Sequence, residues 1–141
     1  MKIYLASPFF NEKELEIYHR AIILLRDEGH DVYVPQKHTI ENGWKLSNED
    51  WARRVFIEDI KAIDNSEIVM VLNFGMYSDS GTAWEAGYAF AKDKKVVQVL
   101  CGDENTTYSL MMMNNCYNIV ELPQIAHFDK VTANTARVIQ K

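Results

Sequence analysis

Apolar and polar positions alternate along this chain in blocks that change period. Lys2-Ile-Tyr-Leu-Ala-Ser7 is a short apolar run ended by Pro8, which reads as a buried strand. From Asn11 to Glu28, Leu15, Tyr18, Ile22 and Leu25 fall on one face at helical spacing, and Gly29 supplies the stop signal. A short second strand is predicted at Asp31–Val34, closed by Pro35. The polar segment from Gln36 to Asn48 is too long for a minimal connection, and loops of that kind tend to be lids or binding loops. A second helix is predicted over Asn48–Asp64, with Phe56, Ile60 and Ile63 as its apolar stripe. Strands at Glu67–Leu72, Lys95–Leu100 and Tyr117–Leu122 follow, with a helix from Trp84 to Lys92 after the first of them. Gly102–Asn115 reads as irregular, and a last helix is expected at Lys130–Ile139. Alternating strands and helices imply a doubly wound parallel sheet covered on both faces, and five strands give the compact flavodoxin-like (Rossmann-like) α/β form.

The chain has 141 residues and no internal repeat, so residues 1–141 are expected to form a single domain. A net charge of −5, with no basic stripe, argues against nucleic acid or an anionic membrane as a partner. Cys101 and Cys116 form neither a CxxC pair nor a disulfide framework. No signal-peptide pattern and no run near the roughly 18 apolar residues of a membrane span is present, so a reduced, cytoplasmic setting is expected. His19, His30, His38 and His127 are scattered and predict no metal site. Neither GxGxxG nor GxxxxGKS occurs, which leaves dinucleotide and P-loop readings without support.

Chemistry concentrates in Asp79-Ser-Gly-Thr-Ala-Trp-Glu85-Ala-Gly87, where an apolar strand turns into a helix. Ligands of open α/β sheets lie beyond the carboxyl ends of the strands, where Asp79 and Glu85 fall. Thr82-Ala-Trp-Glu85 fits a capping box, the commoner meaning of that spacing. Equally, a carboxylate near a helix N-terminus is held ionised and suits a nucleophile. Gly81 and Gly87 allow a ligand near the backbone or serve turn and packing. Asp79 is compatible with an ordinary turn aspartate. Asp59 lies at the edge of an apolar stripe, where burial of a carboxylate is costly unless it is paired. Tyr4, a mid-strand tyrosine, has core packing as its ordinary explanation. Of the adjacent Phe9 and Phe10, one is expected to line a pocket. Met111-Met-Met113 reads as local packing or as cover for a neighbouring subunit.

Three segments together, Tyr4-Leu-Ala-Ser-Pro-Phe-Phe10, Glu58-Asp-Ile60 and Asp79-Ser-Gly-Thr-Ala-Trp-Glu-Ala-Gly-Tyr-Ala89, resemble the nucleoside 2-deoxyribosyltransferases in order and spacing. The resemblance covers most of residues 2–100. It implies Glu85 as nucleophile, Asp59 and Asp79 as base-side carboxylates, and Tyr4 as the group that positions Glu85. Ser7, Phe9, Phe10 and Gly81 would bind substrate. Ser109 and Met111 would complete the site of an adjacent subunit in a homo-oligomer, with Ser109 standing where some members carry Asn. The implied substrates are deoxynucleosides and free nucleobases, and no cofactor or metal is required. Two alternatives stay open: a 2′-deoxynucleoside 5′-monophosphate N-glycosidase, which uses the same glutamate but passes the sugar to water, and a non-catalytic nucleotide-sensing domain.

Overall fold

The computed structural model describes residues 1–35 and 40–135. Five parallel strands form one sheet: β1 (Lys2–Ala6), β2 (Asp31–Tyr33), β3 (Ile68–Asn73), β4 (Lys95–Leu100) and β5 (Asn118–Glu121). Their spatial order is β2-β1-β3-β4-β5, the flavodoxin-like arrangement, and its topological switch point lies between β1 and β3. Helices α1 (Glu12–Asp27), α2 (Asn48–Asp64), α3 (Ser80–Ala91) and α4 (Leu110–Asn114) provide the cover.

Side chains of successive strand residues point to opposite faces of the sheet, and each face has its own layer. Ile3 and Leu5 of β1, with Met70, Leu72, Val97 and Val99, pack against Tyr18, Ala21, Ile22 and Leu25 of α1. Tyr4 and Ala6, one residue out of step, join Val69, Val71 and Val96 under Ile63 of α2, Ala86 and Ala89 of α3 and Met112 of α4. Tyr4 therefore belongs to the face that carries Asp59 and Glu85. Among the described residues no helix is long and apolar enough to cross a membrane.

Four expectations need correction. α3 begins at Ser80 rather than Trp84, because Asp79 caps it. The stretch read as irregular holds the one-turn α4, which buries Met112 and Met113. No helix is present over 131–135, and the rest of the helix expected at Lys130–Ile139 lies outside the described residues; the preceding turns are instead a 3-10 helix, Leu122–His127, with Pro near its start. The stripe on α2 is buried at Ile63 only, while Phe56 is 53% exposed. At 17 residues α2 is about 25 Å long and outruns the short strands it covers, so its N-terminal half projects past the core.

Candidate active site

Asp79 fixes where α3 starts. Its Oδ2 accepts from the backbone N–H of Thr82 at 2.9 Å and from the Thr82 hydroxyl at 3.0 Å, satisfying one of the helix's orphan donors. A side chain at Gly81 would place its Cβ 3.2 Å from that same oxygen, so glycine keeps the cap open. Capping thus falls to Asp79, and the capping box expected from Thr82 and Glu85 does not form. Glu85 sits a full turn further along, on the side of α3 that faces the sheet.

Released from capping, the Glu85 carboxylate points inward. Its Oε2 is buried, as is the hydroxyl of Tyr4, and no described group completes a regular hydrogen bond to either. The two face one another closely enough for the Tyr4 hydroxyl to favour the ionised glutamate. Burial outweighs that help: desolvation, with the negative charges of Asp59 and Asp79 adding to it, raises the Glu85 pKa from 4.5 to about 7. Burial and the charges of Glu85 and Asp59 push the Tyr4 phenol the same way, so it remains a protonated donor.

Asp59 reaches the same place from α2. Asp59 and Glu85 line one cavity of about 260 Å³ together with Phe56, Ile60, Ile63, Gly81 and Trp84. The rings of Phe56 and Trp84 stand at its mouth, 5.4 Å apart, and Trp84 stacks in turn on Tyr88. No basic side chain is among these lining residues. Among the described residues no group of three or more His, Cys, Asp and Glu side chains is arranged to hold a metal ion.

Tyr33 was not singled out from the sequence. It is the β2 residue in register with Tyr4 of β1, so the two rings lie on the same face and stack with centroids 5.5 Å apart. The Tyr33 hydroxyl donates to Asp59 Oδ1 at 3.3 Å. The signal was present: both tyrosines occupy the third position of adjacent strands, which places them side by side. A buried amide relay was also missed. Asn73 Nδ2 donates to Gln98 Oε1, and Gln98 Nε2 donates to Asn115 Oδ1, each at 3.1 Å. Asn73 Oδ1 accepts from the backbone N–H of Gly75, a residue at φ +138° that turns the chain toward Asp79.

Other expected residues lie apart. Ser7 is buried and its hydroxyl donates to the Pro8 carbonyl at 2.7 Å. Phe9 packs on Tyr18 in the α1 layer, whereas Phe10 is 75% exposed; neither lines the Glu85 cavity. Ser109 and Met111 line a different cavity, about 590 Å³, on the Ala83, Gly87 and Phe90 side of α3. Met111 is 74% exposed there, beside Met76 and Phe90.

Comparison with known proteins shows the family and the fold. The profile of the nucleoside 2-deoxyribosyltransferase family matches residues 3–127. A 2-deoxyribosyltransferase from Bacillus psychrosaccharolyticus is 33% identical over 92% of this chain and 93% of its own, with a TM-score of 0.78. A conserved protein from Enterococcus faecalis (19% identity, 92% and 97% covered, TM-score 0.75) shares the fold. So does a CMP N-glycosidase from Clostridium botulinum (22% identity, 71% and 69% covered, TM-score 0.50). No curated protein sequence matches the chain. A profile that spans both the Tyr4 strand and the Glu85 helix, joined to a deoxyribosyltransferase similar along nearly its whole length, makes this chain an enzyme that belongs to the nucleoside 2-deoxyribosyltransferase family.

Proposed function

We propose that the chain exchanges the base of a 2′-deoxynucleoside by double displacement, with Glu85 as the nucleophile. The observation that carries this reading is the Glu85 carboxylate itself: inward-facing, opposed by the Tyr4 hydroxyl, and sharing one cavity with Asp59. In the first half-reaction a Glu85 oxygen bonds to C1′ as the C1′–N bond breaks through an oxocarbenium-like transition state. The bond's electron pair leaves with the base, which takes a proton managed by Asp79 with Asp59. In the second half, a nitrogen of another free base attacks C1′ from the vacated side and gives up its proton to Asp79 with Asp59, which restores the proton used in the first half. The C1′–Oε bond breaks, Glu85 returns as carboxylate, and the second inversion restores the β configuration. Tyr4 steers the attacking oxygen, a contribution of geometry more than of charge. No step calls on a cofactor or metal.

Gly81 would meet the substrate at the start of α3, while Ser7 and Phe9 or Phe10, outside the Glu85 cavity, would meet only a part of the substrate that extends beyond it toward the β1 turn. Ser109 and Met111, which line the outer cavity, would serve the site of a neighbouring copy in a homo-oligomer. The lack of a basic side chain among the described residues of the Glu85 cavity favours an uncharged nucleoside over the nucleotide of an N-glycosidase. Such exchange suits cytoplasmic salvage of deoxynucleosides. Incubation with a deoxynucleoside and a different free base should yield a second deoxynucleoside. Release of free sugar phosphate from a deoxynucleotide without exchange would overturn transfer in favour of hydrolysis, and full biological activity of Glu85→Ala would favour a non-catalytic sensor.

A further inference from the structure

Tyr33 touches both halves of this machinery without lining the cavity. Its ring lies nearly parallel to Tyr4, 14° between planes, and Tyr4 is the residue that opposes Glu85. Its hydroxyl reaches Asp59. Burial and the Asp59 charge disfavour loss of the Tyr33 proton, so the hydroxyl is a permanent donor toward that carboxylate.

A carboxylate on a helix rotates about its Cβ–Cγ bond unless an oxygen is anchored. Asp59 lies in the C-terminal half of α2, and two neighbouring α2 residues, Phe56 and Ile57, are exposed. One anchor comes from a different element, edge strand β2, through the Tyr33 hydroxyl. Resting on the reading of Asp59 as a base-side carboxylate, we propose that Tyr33 is the positioning residue of the site: its hydroxyl sets the rotation of the Asp59 carboxylate, and its ring braces Tyr4 behind Glu85. A single side chain then keeps the sugar-side and base-side groups in mutual register as the base departs and its replacement arrives.

The two functions separate by substitution. Tyr33→Phe keeps the ring and deletes only the donor. Tyr33→Leu deletes both. Base exchange is measured on the deoxynucleoside that the wild-type enzyme exchanges best, for both variants, for Asp59→Asn and for the double variants. A hydrogen bond to a charged group is worth enough for Tyr33→Phe to lower kcat about ten- to a hundredfold, with KM changed much less. In the Asp59→Asn background the same change should cost less than about threefold, because its partner carboxylate is already gone. Tyr33→Leu should add a further loss that survives in that background, since it acts through Tyr4. Additive losses of Tyr33→Phe and Asp59→Asn, or a kcat within about twofold of wild type for Tyr33→Phe, would overturn the proposal. Thermal unfolding of each variant keeps folding defects apart from these effects. Glu85→Gln provides the control on the parent reading: if it retains exchange, the nucleophile assignment falls, whereas if it abolishes exchange and the Tyr33→Phe and Asp59→Asn losses in the Glu85 enzyme are additive, the Tyr33 role alone falls.

Discussion

The hydroxyl of Tyr4 and the Glu85 carboxylate meet inside the apolar layer between sheet and helices, each buried and neither completing a regular hydrogen bond to a described group. Two polar atoms left this way are costly to the fold. A substrate entering the adjacent cavity would meet a nucleophile with one oxygen already withdrawn from solvent. The arrangement trades stability for a carboxylate whose proton affinity is high, and that trade leads to measurable consequences.

The acid limb of the pH profile is the first. Glu85 must be ionised to attack, and its pKa stands at about 7, so kcat/KM should rise with pH through that value and level off above it. A limb near pH 4.5, the ordinary glutamate value, would show that burial does not raise the Glu85 carboxyl in the working enzyme.

Stability should run the other way. The folded state holds the Glu85 proton more tightly than the unfolded chain, because the folded pKa is raised from 4.5 to about 7. Stability from this group is therefore fully present below pH 4.5 and is lost as pH rises through about 7. Glu85→Gln has no such proton. Relative to wild type it should gain on the order of 2–3 kcal/mol between pH 4.5 and pH 8, read from denaturant unfolding at the two pH values.

Tyr4→Phe removes the one group that favours ionised Glu85. The acid limb should move to higher pH and kcat should fall about tenfold or more. Stability should change little where Glu85 is protonated and fall above about pH 7, where the ionised carboxylate loses the hydroxyl that favours it. A clear loss of thermal stability together with an unmoved pH profile would mark Tyr4 as core packing only.

How far the sequence carries depends on the residue. The doubly wound sheet follows from short apolar runs alternating with helical periodicity, and α1 buries Tyr18, Ile22 and Leu25 of its predicted face. The start of α3 was misplaced because two capping arrangements, Asp79 with Thr82 and Thr82 with Glu85, compete within a few residues, and local spacing does not choose between them. Tertiary structure chooses: Glu85 has an inward berth beside Tyr4, which leaves Asp79 to cap. Tyr33 and the Asn73–Gln98–Asn115 relay were overlooked for a related reason. Each acts across strands or elements, through contacts of residues 17 to 29 positions apart in sequence, and register is not written in either strand alone.

Asp79 has two duties that substitution should divide. Asp79→Ala loses both the cap and the carboxylate, and should cost about 1 kcal/mol of stability as well as activity. Asp79→Ser retains a capping oxygen and should restore most of that stability without restoring exchange. Recovery of activity by serine would show that the carboxylate matters only as a cap.

The amide relay predicts a stability defect seated away from the cavity. Gln98→Leu strands Asn73 Nδ2 and Asn115 Oδ1, and Gln98 and Asn73 are fully buried. The cost should be roughly 2–3 kcal/mol, a fall of about 5–10 °C in Tm. Since Asn73 also holds Gly75 in the turn that leads to Asp79, exchange should weaken even well below the new Tm. An unchanged Tm would show that the relay is satisfied by other means.

Placement of Ser109 and Met111 in a cavity separate from that of Glu85 gives the last prediction. If these residues serve a neighbouring copy, Glu85→Gln subunits and Ser109→Ala/Met111→Ala subunits carry defects in different halves of a shared site. Mixed after dissociation and reassembled, they should regain activity that neither parent has, because random assembly leaves about a quarter of the sites with both halves intact. The gain should require reassembly, and mixing without it should yield only the sum of the parents. Failure of reassembled mixtures to exceed that sum, with hetero-oligomers verified by native mass spectrometry, would confine each site to one chain and leave the exposed Met111 face without a role in exchange.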